Sequence, residues 1–584
     1  MFQKALLLSE RGLRDTQALR ADPQTPVPGT VLYSVQDMIG YLSRHVTVTG
    51  IQRVQAGIVR HLLRGSHEGV GFVLTDADGD LRPGDFGLLD PSLLLAVIDA
   101  AEAPNGDHAY TRALIAQCRA SARPIRPGSG HTLIVLGAFW ALGNAPTRYL
   151  PAKRRGARIG VYLYDLIPIT HPQFCEMELS LHFAVGFGQI CALADFFVTI
   201  SEDTADRVRA LLADQSMVPV PIQAVPLAHA LADVSDCSAP PHPYAPPRAF
   251  VAYISTIEGR KNHIYVARVW RALLAKKVAV PDLLFVGRPG WKIDELRTFL
   301  ADTNYLDGRI RLLHDLTDAE LANIYRRASF TIFTSFVEGW GLPIGESLAY
   351  GTPCVASSTS SMPEVGGDFV DYVDPFDIDD GVAVIEALLV DPAALENRRR
   401  RIAEHFKPRT WDVVGADFAR AVDILSQSAP RAISPPMLAA GQTFRPGETN
   451  AADFSLPALM RSPRGLLLAE LTSGLDDAGA WMGAGEALIR FRSDLPPGTP
   501  LSLILSLRRG EHAGHDQATI TTDRDTAFVA LSSLPAFPDP ARDIVLESLV
   551  SPDGTVAIRL TVDGGAPSAD LPVLGVAGIG YRSA

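Results

Sequence analysis

The chain has 584 residues, with a hydrophobic fraction of 47%, a charged fraction of 20% and a formal net charge of −12. That length excludes a single core and calls for several domains, and the composition excludes wholesale disorder. The acidic balance excludes a general nucleic-acid binder. The five cysteines (Cys118, Cys175, Cys191, Cys237 and Cys354) stand far apart, with no CxxC spacing. They argue against a disulfide framework or a zinc site and fit a reducing cytoplasm.

Residues 1–29 read as a leader, a basic stretch to Arg20 stopped by Pro23, Pro26 and Pro28. Its apolar run, Ala5 to Leu8, is too short for a signal peptide. Residues 30–238 read as an α/β domain. Val31–Tyr33, Val70–Leu74, Leu133–Leu136, Ile159–Tyr164 and Phe196–Ile200 are short apolar strands. Helical patterns lie between them, from Gly50 to about Leu63, over Pro91–Ala101 and over Tyr110–Ala120. Such alternation predicts a parallel sheet covered on both faces. Phe183–Ile200 is the most apolar stretch, but Gln189 and Asp195 interrupt it, so it divides into a helix and a strand. The expected protein is cytoplasmic, at most peripheral to a membrane.

Ala239–Pro247 is a proline-rich break. Residues 248–428 then read as a second alternating domain. Its expected strands are Phe250–Ile254, Leu283–Val286, Ile310–Leu313, Phe330–Phe333 and Pro353–Ala356. Helices are expected over Ile264–Leu274, Asp294–Leu300, Asp318–Arg326, Val382–Leu389 and Ala393–His405. Two doubly wound domains would leave a ligand cleft between them. Residues 429–457 read as linker. Over 458–584 the pattern changes to short alternating runs with turn signals such as Asp553-Gly554, which predicts a β-sandwich.

The most informative stretch is Phe330–Gly351. It reads as a strand, a loop carrying Glu338, Gly339 and Gly341, and a helix with Pro343 in its first turn and Glu346 a turn further on. A helix N-terminus offers unpaired N–H groups and the positive end of a dipole, and glycines admit a ligand close to the backbone. The stretch suits a phosphate-bearing ligand flanked by two carboxylates.

Glu338-Gly-Trp-Gly-Leu-Pro-Ile-Gly-Glu346 resembles the E-x7-E signature of retaining glycosyltransferases of family 4, which have the GT-B fold. Ala349-Tyr-Gly-Thr-Pro-Cys-Val-Ala, Ser361-Met-Pro-Glu364-Val-Gly-Gly-Asp368 and Tyr372-Val-Asp-Pro375-Phe-Asp377 follow the same family pattern in order. The resemblance covers roughly residues 31–425. It implies that Glu338 faces the hydroxyls of the donor sugar. Gly339, Trp340 and the N–H groups around Gly341 and Leu342 would hold the diphosphate, and Glu346 would accept from the ribose. Ser255-Thr-Ile-Glu258-Gly-Arg260-Lys261-Asn262 resembles the segment whose basic pair neutralises the leaving nucleoside diphosphate. Lys261 matches the family's lysine. Ser255 stands where the other cation is common, which leaves Arg260 as the second.

Thr49-Gly50-Ile51-Gln52-Arg53-Val54 resembles the N-terminal glycine loop of a mannosyltransferase-like branch, with Gly50 approaching donor phosphate or acceptor and Arg53 either a phosphate contact or a surface residue. Tyr164-Asp165-Leu166-Ile167-Pro168 resembles that branch's H-D-x-I-P segment, with tyrosine in place of histidine and Asp165 as a third candidate catalytic residue beside Glu338 and Lys261. Ser201-Glu202-Asp203-Thr204 is explained by helix capping alone.

Other features have plainer readings. Asp76-Ala77-Asp78 reads as a turn rather than a metal motif. Lys153–Arg158 reads as a solvated basic loop, with anionic lipid headgroups as the competing partner, and Arg398–Arg401 as a solvated helix face. Trp481 reads as a sandwich core residue before a sugar-stacking one.

The resemblance thus implies a retaining, metal-independent hexosyltransferase with no cofactor. It would use a nucleotide-diphosphate sugar, GDP-mannose favoured, and a saccharide or lipid-linked saccharide acceptor, in cell-surface polysaccharide synthesis. The competing expectation is a non-catalytic GT-B scaffold or glycan-binding protein.

Overall fold

The computed structural model describes residues 26–27, 29–45, 50–65, 69–75, 81, 84–103, 106–142, 145–214, 219–229, 249–433, 437–444, 475–476, 479–482, 485–510, 517–536, 539–563 and 573–584. Most of the leader, the Ala239–Pro247 break and Asp76-Ala77-Asp78 lie outside the described residues, as does most of the second linker.

The first sheet has eight strands: β1 (Val31–Ser34), β2 (Val70–Leu74), β3 (Phe86–Leu88), β4 (Arg123–Ile125), β5 (Thr132–Val135), β6 (Arg158–Leu163), β7 (Phe196–Thr199) and β8 (Ile222–Ala224). Their order is β4-β3-β2-β1-β5-β6-β7-β8. From β2 through β8 the pairings are parallel, whereas β3 and β4 add an antiparallel edge. The interior strands β5 and β7 are buried at every position, as strands covered on both faces must be.

The second sheet is wholly parallel: β9 (Phe250–Ile254), β10 (Asp282–Val286), β11 (Ile310–Leu313), β12 (Thr331–Phe333), β13 (Cys354–Ser357) and β14 (Asp371–Val373). The order β11-β10-β9-β12-β13-β14 reverses direction between β9 and β12. Ligands of open α/β sheets bind outside the carboxyl ends of the strands at such a switch point.

Residues 411–425, which the sequence reading placed with the second sheet, pack on the first. In the helix Trp411–Leu425, Phe418 meets the rings of Tyr33 and Tyr162 at 6.1 and 4.9 Å. A Cβ on Gly57 would come within 2.5 Å of Trp411, and one on Gly415 within 2.4 Å of His61. The glycines let the two helices approach closely, so this helix straps one unit to the other.

The C-terminal part forms two sheets. One runs Met437–Leu438, Gly485–Ser493, Thr555–Asp563, Gln517–Thr521, Thr526–Ala530. The other runs Leu475–Asp476, Gly479–Met482, Leu574–Ser583, Pro500–Arg509, Arg542–Leu549, with Thr443–Phe444 paired to Leu574–Ser583. Leu501, Leu503, Leu505 and Leu507 alternate along one strand and are all buried, packing with Ile489, Phe491, Ile558 and Leu560 of the facing sheet. The expected β-sandwich is present. Trp481 lies on the strand Gly479–Met482.

Two charged runs differ from expectation. Lys153 is buried at the end of the helix Ala145–Arg154, not in a solvated loop. Its Nζ donates to both carboxylate oxygens of Asp195 at 2.8 Å. Asp195 also accepts from the N–H of Ile159 at 2.7 Å and from that of Arg431. Arg398 pairs with Asp371 at 2.6 Å, and Arg399 donates to the carbonyls of Ala328 and Ser329 at 2.7 Å. These arginines tie their helix to the sheet. Replacing Lys153 by methionine leaves a buried carboxylate without its nearest counter-charge. The expected cost is about 3–5 kcal/mol, read as a melting temperature lowered by roughly 10 °C in calorimetry.

Candidate functional site

The site assembles where β9, β12 and β6 end. After β9 the chain makes a 3-10 turn, Gly259–Lys261, and Asn262 adopts the left-handed conformation at φ 60° before the helix His263–Ala275 begins. Asparagine tolerates that conformation better than most residues. Its Nδ2 also donates to the Pro375 carbonyl at 3.0 Å, which anchors the turn. After β12 the loop reaches Gly341 at φ 116°, a conformation natural to glycine, and then the helix Leu342–Ala349 with proline in its first turn.

The two motifs read separately from the sequence form one ion cluster. Lys261 Nζ donates to Glu338 Oε1 at 2.5 Å, and Arg260 Nη1 lies 2.8 Å from Glu338 Oε2. Arg260 also donates to the Val337 carbonyl at 2.8 Å and to Glu258 Oε1 at 2.8 Å. Lys261 stands over the ring of Phe333, 5.0 Å from its centroid. Burial works against the charged form of Glu338, but Arg260 and Lys261 outweigh it and hold the carboxyl at about 2. Burial and then the neighbouring Arg260 pull the Lys261 ammonium down, with Glu338 opposing.

Asp165 joins this cluster from the end of β6. Burial raises its carboxyl, with Arg260 and Lys261 drawing it back. Its Oδ1 accepts from the Ile167 N–H at 2.9 Å, so it also shapes the turn into Ile167–Thr170. The close approach depends on Gly339, where a Cβ would lie 2.4 Å from the Tyr164 carbonyl. Tyr164, standing where histidine is common, turns away into the core and donates its hydroxyl to the Leu136 carbonyl at 2.7 Å. His171 instead stacks on Phe174, with ring centroids 6.3 Å apart.

Glu346 sits apart from the cluster, buried one turn into its helix. Tyr325 donates to its Oε2 at 2.6 Å. Burial raises its pKa, with the Tyr325 bond and the charge of Arg53 opposing. Gly50 opens the helix Gly50–Arg64, and Arg53 on that helix reaches Asp318 of the second unit at 3.5 Å. Thus Asp165, Arg260, Lys261 and Glu338 come together. Gly50 enters only through the helix that carries Arg53.

Sequence reasoning missed the supports. Ser360 accepts from the Glu338 N–H at 3.0 Å, and Ser361 donates to the carbonyls of Glu338 at 3.0 Å and Trp340 at 2.8 Å. His229 backs the helix from the first unit, accepting at Nδ1 from the Arg409 N–H at 2.8 Å. A Cβ on Gly345 would meet its Cα at 2.8 Å. Tyr325, His229 and Ser360 lie outside the motifs and carry no spacing signal, and Ser361 opens the Ser361–Asp368 motif without its contact to the loop being legible there.

His263 lies beneath the cluster, stacked on Tyr253 at 4.1 Å and edge-on to Phe285 at 4.9 Å. Burial and the charge of Lys261 depress its pKa to about 3. The unfolded chain therefore binds the extra proton as pH falls from about 6.5 toward 3, and stability declines through that window. His263→Phe is expected to flatten the acid slope of melting temperature between pH 6.5 and 4, measured against the parent protein.

Residues 240–407 match the family described as glycosyl transferases group 1, and the matched segment contains Arg260, Lys261, Glu338 and Glu346. The chain is 32% identical over 165 residues to O-antigen chain mannosyltransferase B of Escherichia coli, covering 28% of this chain and 43% of the relative. It is 30% identical over 257 residues to D-inositol 3-phosphate glycosyltransferase of Mycolicibacterium smegmatis, covering 43% of this chain and 56% of the relative. The chain thus spans about half the length of these curated relatives. The structure of sucrose-phosphate synthase from Thermosynechococcus elongatus aligns with a TM-score of 0.44 at 14% identity, over 68% of this chain and all of that one. Among the described residues, no helix is long and apolar enough to cross a membrane.

Proposed function

We propose that this chain is a retaining, metal-independent glycosyltransferase. It moves a hexose, mannose from GDP-mannose in the favoured case, to a saccharide or lipid-linked saccharide of the cell surface. The observation that carries the reading is the Arg260–Lys261–Glu338 cluster at the switch point of the second sheet, beside the N-terminus of the helix Leu342–Ala349. Departure of a nucleoside diphosphate builds negative charge on its terminal phosphate, and fixed cations in a water-poor site stabilise that charge without reorganisation. Arg260 and Lys261 supply it. The helix N-terminus adds N–H donors for the diphosphate.

Glu338, kept ionised by those cations, accepts hydrogen bonds from donor-sugar hydroxyls. Glu346 offers its carboxylate to the ribose from a site that Tyr325 fixes. Asp165, from the facing sheet, orients an acceptor or donor hydroxyl in this reading. One of the relatives, O-antigen chain mannosyltransferase B, is named for mannose, which supports mannose as the sugar. Calorimetric titration with GDP and UDP, followed by a transfer assay on a panel of nucleotide sugars with cell-envelope glycolipids, tests the assignment. Binding and turnover with GDP-mannose support it. UDP binding without GDP binding rejects the mannose reading, and no turnover with any donor rejects the enzyme.

A further inference from the structure

The helix Glu202–Asp214 of the first unit is capped partly by the second. Its own Ser201 Oγ accepts from the Thr204 N–H at 3.1 Å. The N–H groups of Glu202 and Asp203 are taken by Glu364, whose Oε2 and Oε1 accept at 2.8 and 2.7 Å. Both oxygens of one carboxylate thus face the positive end of a helix dipole, a charge-assisted arrangement stronger than a neutral cap. Glu364 stands on the short helix Met362–Gly366. Immediately before it come Ser360 and Ser361, the residues that hold the backbone of Glu338 and Trp340.

We propose that Glu364 is a positioning residue that couples docking of the first unit to the placement of Glu338. The coupling runs through one continuous segment: the 202–203 N–H groups, the Glu364 carboxylate, the turn 360–362 and the loop 338–340. When the helix Glu202–Asp214 docks, it draws this segment toward the first unit and fixes the loop in which Glu338 meets Arg260 and Lys261. When it undocks, the segment and loop relax together. Other contacts cross between the units, including the Trp291 Nε1 bond to the Phe174 carbonyl at 2.8 Å. Gly339 of the loop also packs directly against Tyr164 of the first unit, and Glu364 adds a hydrogen-bonded tie through the residues that support the loop. The catalytic side of this inference rests on the function proposed above; the structural coupling does not.

Hydrogen–deuterium exchange on the full chain tests it without substrate. Glu364→Ala is expected to accelerate exchange about tenfold in peptides covering 201–208 and also in those covering 335–342. Acceleration at 201–208 alone overturns the coupling. Glu364→Gln keeps the shape but turns an NH2 group toward one of the two N–H donors. It is expected to give a smaller acceleration in both regions, and it decides the matter if the alanine variant melts early. In turnover, Glu364→Ala is expected to lower kcat about tenfold with donor KM changed less than about twofold, the signature of a lost placement rather than lost binding. A raised KM at unchanged kcat overturns the positioning role. Inactive parent protein with coupled exchange would instead count against the proposed function alone.

Discussion

Glu338→Ala is expected to lower sugar transfer by about 10²–10³-fold, the usual cost of removing one fixed electrostatic group from a reacting centre. The carboxylate is the point at which Lys261 Nζ, at 2.5 Å, and Arg260 Nη1, at 2.8 Å, converge. Without it the donor sugar loses its acceptor of hydroxyl hydrogen bonds. The two cations then repel one another, with Glu258 as the remaining carboxylate bonded to Arg260. Some instability will follow, so turnover must be measured on protein whose melting transition is intact. Glu338→Gln, which preserves shape, serves as the control and should also be inactive, since an amide cannot satisfy both cations. Near-parental turnover by a folded alanine variant would sink the assignment.

The same cations fix the pH behaviour. With its carboxyl held at about 2, Glu338 remains ionised through the whole working range. Its folded pKa is depressed, so its contribution to stability is present above the ordinary carboxylate range and is lost as pH falls toward 2. An acid limb in turnover near pH 5 must come from another group.

Much of the fold could be read from the chain because its parallel strands are buried on both faces and appear as short apolar runs. Phe250–Ile254 and Val70–Leu74 match the structure end to end. In the two parallel-sheet units the strands that escaped are β3, β4, β8 and β14, each three residues long. Three residues show no periodicity, and Arg123–Ile125 contains a proline that looks like a break but is tolerated on an edge strand. The helix Trp411–Leu425 was recognisable only as chain following the second sheet. That it returns to the first depends on Gly57 and Gly415, small residues whose meaning appears only when the two helices touch.

The site divides the same way. Glu338 and Glu346, or Arg260 and Lys261, are close in sequence and so form legible motifs. What holds them is not. Tyr325 reaches Glu346 across 21 residues, and Ser361 reaches the Glu338 carbonyl across 23. Lys153 shows how a local rule fails. A run of basic residues is solvated by default, but Asp195, 42 residues away, draws one member into the core.

Lys261→Ala is expected to reduce transfer by a similar 10²–10³-fold, but its effect on nucleotide binding should have the opposite sign to that of Glu338→Ala. In the parent protein Glu338 partly neutralises both cations, so an incoming diphosphate must share them with a carboxylate. Removing Glu338 releases Lys261 and Arg260, and GDP alone should bind several-fold more tightly, roughly 3–10-fold, even as turnover collapses. Removing Lys261 leaves Glu338 to compete for Arg260 alone, so GDP should bind roughly tenfold more weakly. Lys261→Arg should recover little, because a longer, planar guanidinium carries its charge away from the point where the compact ammonium meets Glu338 Oε1. Calorimetric titration of GDP into the parent and the two alanine variants, at one salt concentration, reads both signs in a single series. Weaker binding in both variants would mean that Glu338 supports the phosphate site rather than competing for its cations. Unchanged binding in Lys261→Ala would remove Lys261 from the leaving-group site.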